Sequence, residues 1–373
     1  MKCPRCGAEN YSGAKFCTTC GTVLQKTGTF SAVLHALFYV FIFFSCQYFV
    51  TAGYMMSLMG GTLTAGTLDE AALLEITEQV LGQTVMISLI SNLLTILVIC
   101  LIQTLRMRNP LDEFNLRPVN LLRCPTFLLF GAALNVFVSG TLSFLPLPES
   151  IVEAFENQYA ALYGDMPLIL EILSIAVITG ITEEIVFRGL VNSRLSRAMK
   201  TGTVVIVSSV IFGLAHGALI AVVYSALLGL VFSLLYEKFH SVIPSLLCHV
   251  AFNATSYLLE ALDDRWMLPV YLFSIAAVLF CAYRIFFRRP SFYDYVLDIV
   301  GEHPLRDNAE REIIAEVRRL QEDEALTPEE IERLEDAWEE NERKYTGKSR
   351  TSRSGSPDSK ESNDTNDNNT KEI

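Results

Sequence analysis

Eight apolar stretches fill the middle of this chain, near 31–53, 84–104, 126–146, 167–186, 203–220, 221–236, 242–260 and 267–287. A bilayer core of about 30 Å asks a helix for about 20 apolar residues. Lipid offers backbone amides no hydrogen-bond partner, so a crossing segment must satisfy its own. The pattern predicts an all-α polytopic membrane protein with about eight transmembrane helices between residues 29 and 287. The fifth and sixth stretches are nearly fused, and Glu171 sits inside the fourth.

Loop charge gives this bundle an orientation. Basic residues gather in the N-terminal segment (Lys2, Arg5, Lys15, Lys26), at 105–125 (Arg106, Arg108, Arg117, Arg123), at 187–202 (Arg188, Arg194, Arg197, Lys200) and from Arg288 onward. The intervening loops at 54–83 and 147–166 hold Asp and Glu but no Lys or Arg. By the positive-inside rule both termini are expected in the cytosol, in an integral, multi-pass protein. The polar lead-in before the first apolar stretch does not read as a cleavable signal peptide. The net charge of −12 belongs mainly to residues 288–373, where 14 basic residues face 23 acidic ones. Nothing in that distribution points to nucleic acid as a partner.

The two ends differ from the bundle. CPRC at 3–6 and CTTC at 17–20 place Cys3, Cys6, Cys17 and Cys20 as two knuckles ten residues apart. Four thiolates at that spacing close a tetrahedral site for a structural zinc, and Gly7 and Gly21 let the backbone turn beneath it. Disulfides would be rare in the cytosol that the charge rule assigns to this segment. Residues 1–28 resemble a bacterial zinc ribbon of the type fused to membrane proteins. Cys46, Cys100, Cys124, Cys248 and Cys281 are scattered through or beside apolar stretches, where packing explains them. Residues 288–346 form an acidic segment with helical patterns at 307–323 and 328–345, joined as a soluble hairpin. Thr327, Pro328 and Glu330 start the second helix with a capping box. Residues 347–373, polar and almost free of apolar side chains, are expected to be disordered. The ribbon and the acidic tail are candidate docking sites for a protein partner.

Ionisable groups inside the apolar region carry the functional signal. ITEEIVFRGL at 181–190 places Glu184 and Arg188 four apart, spaced to pair along a helix. Glu183 points about 100° away and stays free. FGLAH at 212–216 puts Phe212 and His216 on one face, and HVAFN at 249–253 does the same for His249 and Asn253. Taken singly, His249 reads as well as an interhelical hydrogen-bonding residue, and Glu184 with Arg188 as a structural ion pair. Together, a carboxylate, two histidines and an asparagine in hydrocarbon indicate a reactive site facing the bundle interior. A carboxylate beside a histidine can activate water, and a second histidine with an amide can donate to an oxyanion.

EEIVFRG, FGLAH and HVAFN resemble, in order and approximate spacing, the three motifs of the CPBP family over about 125–260. Its members are intramembrane proteases related to CAAX prenyl proteases and to bacteriocin-processing or immunity proteins. The resemblance implies peptide-bond hydrolysis in a water-accessible cavity of a helical bundle embedded in the lipid bilayer, acting on a membrane-associated peptide or protein. It also implies that Glu183 activates the water with His216 assisting, that His249 and Asn253 stabilise the oxyanion, and that Glu184 and Arg188 shape the site. Members have also been described as metalloproteases, and His216, His249 and a glutamate offer a His2Glu alternative, although HExxH is absent. A transporter or channel would predict repeats between halves, and none is visible. A family member acting as a non-proteolytic scaffold or immunity protein is the other alternative. Straight helices would leave Glu183 toward the cytosolic side and His216 toward the opposite one. A shared site therefore requires tilt, a shallow fifth helix or a fourth helix continuing through NSRLSRAMK.

Overall fold

The computed structural model of the chain describes residues 28–64, 70–116, 121–160 and 166–287, with Leu24, Val119, Arg333 and Asp336. The ribbon cysteines, the tail 347–373 and, apart from the last two positions, the expected helices at 307–323 and 328–345 lie outside the described residues. The described elements are helices: α1 (Thr29–Thr64), α2 (Glu70–Gly82), α3 (Thr84–Leu105), α4 (Pro110–Glu113), α5 (Cys124–Phe144), α6 (Glu149–Ala160), α7 (168–195), α8 (Thr201–Leu214), α9 (Leu219–Phe239), α10 (Ile243–Glu260) and α11 (Asp264–Ala282). No strand occurs among the described residues.

Five helices are long and apolar enough to cross a membrane: Thr29–Gly60 within α1, α3, Leu121–Phe144 including α5, α9, and Arg265–Phe287 including α11. The remaining expected segments are α7, α8 and α10. The first carries Glu171, Glu183, Glu184, Arg188 and Arg194, and α8 has only 14 residues. His249 and Asn253 interrupt the apolar run of α10. In α7 and α10 the polar motifs themselves interrupt the apolar run, whereas α8 is apolar and falls short only in length.

The distribution of side chains is that of a protein dissolved in lipid. Phe41 and Phe49 on α1, Leu97 on α3, Leu227 on α9 and Phe273 on α11 are exposed, while Glu184, Arg188, Asn92 and Gln103 are buried. An exposed apolar surface of that extent marks a membrane-facing region, and polar groups in a bilayer protein turn inward because hydrocarbon cannot solvate them. The chain is an integral membrane protein.

Short connections put the helices in alternating directions. Helix α5 packs along α10 and α11, α8 lies on α9, and α1 lies on α3. The α5–α10 approach depends on Gly131: a Cβ there would fall 1.9 Å from the Cys248 carbonyl oxygen. Two further helices, α2 and α6, occupy stretches read from sequence only as acidic loops. They are short and half polar, below the length that a crossing pattern requires.

One end of the bundle is closed by a polar cluster. Arg194 pairs with Glu113, which also accepts from Arg108 Nη1 at 3.0 Å, and Gln103 Nε2 donates to the Tyr39 hydroxyl at 2.9 Å. Burial pushes the Glu113 carboxyl up, but Arg194, with Arg108 and Arg197 behind it, holds it below the usual carboxylate range. Asn115 donates from Nδ2 to the Gly189 carbonyl at 3.1 Å, stitching the α4 turn to α7.

Because Gly131 sets the distance between α5 and the helix that carries His249, replacing it by Ala forces that pair apart. Gly131→Ala should destabilise the bundle by about 1–3 kcal/mol, read as a lower thermal midpoint in detergent. An unchanged midpoint would show that the helices absorb the methyl without strain.

Candidate functional site

Helix α7 brings its charges to the centre of the bundle by an uneven course. Between α-helical stretches it carries two π-helical segments, Ile172–Ile178 and Ile185–Asn192, which flank Thr179–Glu184. Each widened turn displaces carbonyls from the regular ladder, a feature that recurs at functional sites. The Ile175 carbonyl, in the first of them, accepts from Asn253 Nδ2 at 3.3 Å. Helix α7 also runs on to Leu195, one of the ways in which its glutamates can share a site with His216.

Glu184 is fully buried. Its Oε1 accepts from Arg188 Nη1 at 2.9 Å and from His249 Nδ1 at 2.9 Å. Arg188, equally buried, donates from Nη2 to the Gly229 carbonyl at 3.1 Å. Its guanidinium lies 4.3 Å from the Phe212 ring centre and 5.2 Å from that of Phe232. The ion pair expected from the i, i+4 spacing is therefore present, and it also holds a histidine from α10. Since a carboxylate only accepts, Nδ1 of His249 carries the proton it donates.

His249 Nε2 then points at the other glutamate, 3.7 Å from Glu183 Oε2. The imidazole stacks on Phe232 at 4.9 Å and 26°, which fixes its plane. Glu183 is 12% exposed and Glu184 not at all, so adjacent residues differ as the helical offset predicts.

His216 departs from its expected place. The fifth stretch, read as a helix over 203–220, ends at Leu214, and His216 sits in the turn before α9. The apolar run continues through the turn, so hydropathy alone does not show the break. The intended contact with Phe212 survives: the rings are 4.7 Å apart, and Nδ1 of His216 donates to the Phe212 carbonyl at 2.7 Å. Nε2 is thereby left as the lone-pair nitrogen. Because α8 is short, its turn reaches the same space as the middle of α7, and the separation expected of straight helices does not arise.

A cavity of about 830 Å³ is lined by Glu183, Phe212, His216, His249 and Asn253 together. Its wall also includes Asn92 and Asn135, whose amide nitrogens are held by Thr179 Oγ1 at 3.1 Å and Ser256 Oγ at 2.9 Å. Such a volume accommodates a ligand of small-peptide size.

Two contributors escaped the sequence reading. Phe232 supports both Arg188 and His249, but nothing distinguishes it from any aromatic of an apolar helix. Gln158, from α6, holds the His216 turn at two points: Nε2 donates to the His216 carbonyl at 2.7 Å, and Oε1 accepts from the Ala218 amide at 2.7 Å. Gly217 between them has φ +81, a conformation that favours glycine. The available signal was the apolar face of α6, Val152, Phe155 and Tyr159, all of which line the cavity.

Among the described residues, no three of His, Cys, Asp and Glu are arranged to hold a metal ion. His249 is tied to Glu184 and His216 to a backbone carbonyl, each through Nδ1. The ribbon cysteines offer the donor set suited to zinc, two C-x-x-C pairs.

Residues 165–255 match the type II CAAX prenyl endopeptidase Rce1-like family, and residues 2–24 match the zinc-ribbon domain. No curated protein and no solved structure matches the chain. The first match spans Glu183, Glu184, Arg188, His216, His249 and Asn253, and the second spans Cys3, Cys6, Cys17 and Cys20. Over residues 165–255 the chain is thus similar to the Rce1-like CAAX endopeptidases, and over residues 2–24 to a zinc ribbon.

Proposed function

We propose that this protein is an intramembrane endopeptidase that hydrolyses a peptide bond of a membrane-associated substrate. One observation carries the reading: Glu183, His216, His249 and Asn253, from three separate motifs, line a single cavity inside an apolar bundle.

In this mechanism the Glu183 carboxylate takes a proton from water as the oxygen attacks the scissile carbonyl carbon. The lone pair on His216 Nε2 is a second acceptor for that water. The carbonyl oxygen becomes an oxyanion and accepts from the second N–H of Asn253 and from Nε2 of His249 in its doubly protonated form. Collapse breaks the C–N bond, and the proton held by Glu183 passes to the leaving amine. Water is thus added across the bond, leaving an amine and a carboxylic acid, which ionises by losing its proton to solvent. Glu184 and Arg188 hold the His249 ring and do not touch the substrate. The ribbon is proposed to bind a structural zinc through Cys3, Cys6, Cys17 and Cys20, which supplies rigidity to the ribbon. Both termini are placed in the cytosol by loop charge.

Glu183→Gln removes the base but keeps the shape. It should lower turnover of a membrane-peptide library by about 10²–10⁴-fold, with unchanged expression and thermal midpoint. Retained cleavage would end the glutamate mechanism, and unchanged partner capture without cleavage would favour a scaffold. Gln158→Ala frees the His216 turn. We expect kcat to fall about 10–100-fold, the scale of a small misplacement of a reacting group, with little change in midpoint. Zinc should co-purify with the intact chain, disappear in Cys3→Ser/Cys6→Ser and remain in His216→Ala. Loss of zinc in His216→Ala would instead locate a metal in the cavity.

A further inference from the structure

Among the described residues, none that lines the cavity comes from 106–123, 185–200 or 233–247, the stretches that form one end of the bundle. That end is filled. Ile185, Val186, Phe187, Leu190 and Val191 are buried beyond the Glu184–Arg188 pair, with the Arg194–Glu113 cluster beneath them. At the opposite end the wall continues through Val80 and Leu81 of α2, Thr84 at the start of α3, Leu147 and α6 after α5, and Gly217 in the α8–α9 turn. Several of these rim positions, Leu81, Glu156, Gln158 and Gly217 among them, are exposed.

Loop contacts show that the two ends are real. Asn115 bonds Gly189 and Val242, and Ser196 bonds Glu237, all at the filled end. Gln158 bonds the 216–218 turn at the open end. Charge divides the same way. The filled end carries Arg106, Arg108, Arg123, Arg194, Arg197, Lys200 and Lys238. The open end carries Glu70, Glu75, Glu78, Glu149, Glu153, Glu156 and Asp263, with Arg265 the one basic residue among its described positions. Excess Lys and Arg marks the cytosolic side of membrane loops.

We propose that the cavity is reached from the non-cytosolic side of the membrane, so that the segment it accepts is the extracytosolic part of a membrane-associated peptide. The identity of that occupant rests on the proteolytic reading; the sidedness does not. A substrate bond presented only in the cytosol would meet the packed end of α7.

Single cysteines test this without any need for activity. A charged, membrane-impermeant maleimide is applied to sealed cells producing Glu153→Cys on the exposed face of α6, Ser139→Cys on the cavity wall, or Lys200→Cys at the filled end. The otherwise unaltered chain gives the background from its own cysteines. Glu153→Cys and Ser139→Cys should label above that background before permeabilisation, and Lys200→Cys only after it. Should Ser139→Cys fail to accumulate, Leu142→Cys on the same wall replaces it. Labelling of Lys200→Cys in sealed cells, or of Glu153→Cys only after permeabilisation, overturns the orientation. A wall cysteine that stays unreactive while Glu153→Cys labels overturns the opening. Failure of the Glu183→Gln prediction would leave these results standing, and reversed labelling would leave the Glu183→Gln result standing.

Discussion

A charged pair without solvent stands at the centre of this bundle, and the surrounding architecture answers to it. Glu184 and Arg188 are each at most 1% exposed. Breaking such a pair from one side typically costs about 3–5 kcal/mol, because the survivor is left as an uncompensated buried charge. The compensation drawn in here comes from three neighbouring helices: His249 from α10, the Gly229 carbonyl and Phe232 from α9, and Phe212 from α8. The carboxylate thereby also determines which nitrogen of His249 faces the cavity. A structural ion pair and the orientation of a reactive ring are one device.

Around it, helix irregularity does what straight helices would not. The π turns of α7 release the Ile175 carbonyl to Asn253, and the early end of α8 drops His216 to the depth of Glu183. Glycine at 180 leaves α7 without a side chain where it faces Val250 and His249 of α10, and glycine at 131 lets α10 lie close against α5. The cavity is thus a consequence of departures from ideal geometry at the helices that carry the polar motifs. The longer apolar helices α1, α3, α5 and α9 supply its other walls.

Much of this was legible beforehand. That the chain crosses a membrane in several helices followed from apolar length, since this registers the bilayer directly. The distinction between Glu183 and Glu184 followed from a 100° rotation per residue. The bond from His249 to Glu184 did not, because nothing in either segment states which residue of another helix it will meet. The turn at 215–218 was hidden by apolar residues on both sides of it. Gln158 was hidden for the opposite reason: α6 is too short and polar for a membrane signal, and its glutamine looks like any surface amide until the His216 turn is beside it.

Local composition is a strong witness to solvent, so the sequence alone settled that this chain lives in lipid and which residues avoid it. The meeting of the polar motifs around one space, the closure of that space at its basic end, and the helix that clamps the histidine turn depend on contacts between residues far apart in the chain. Packing decides such contacts, and only the folded bundle could reveal them.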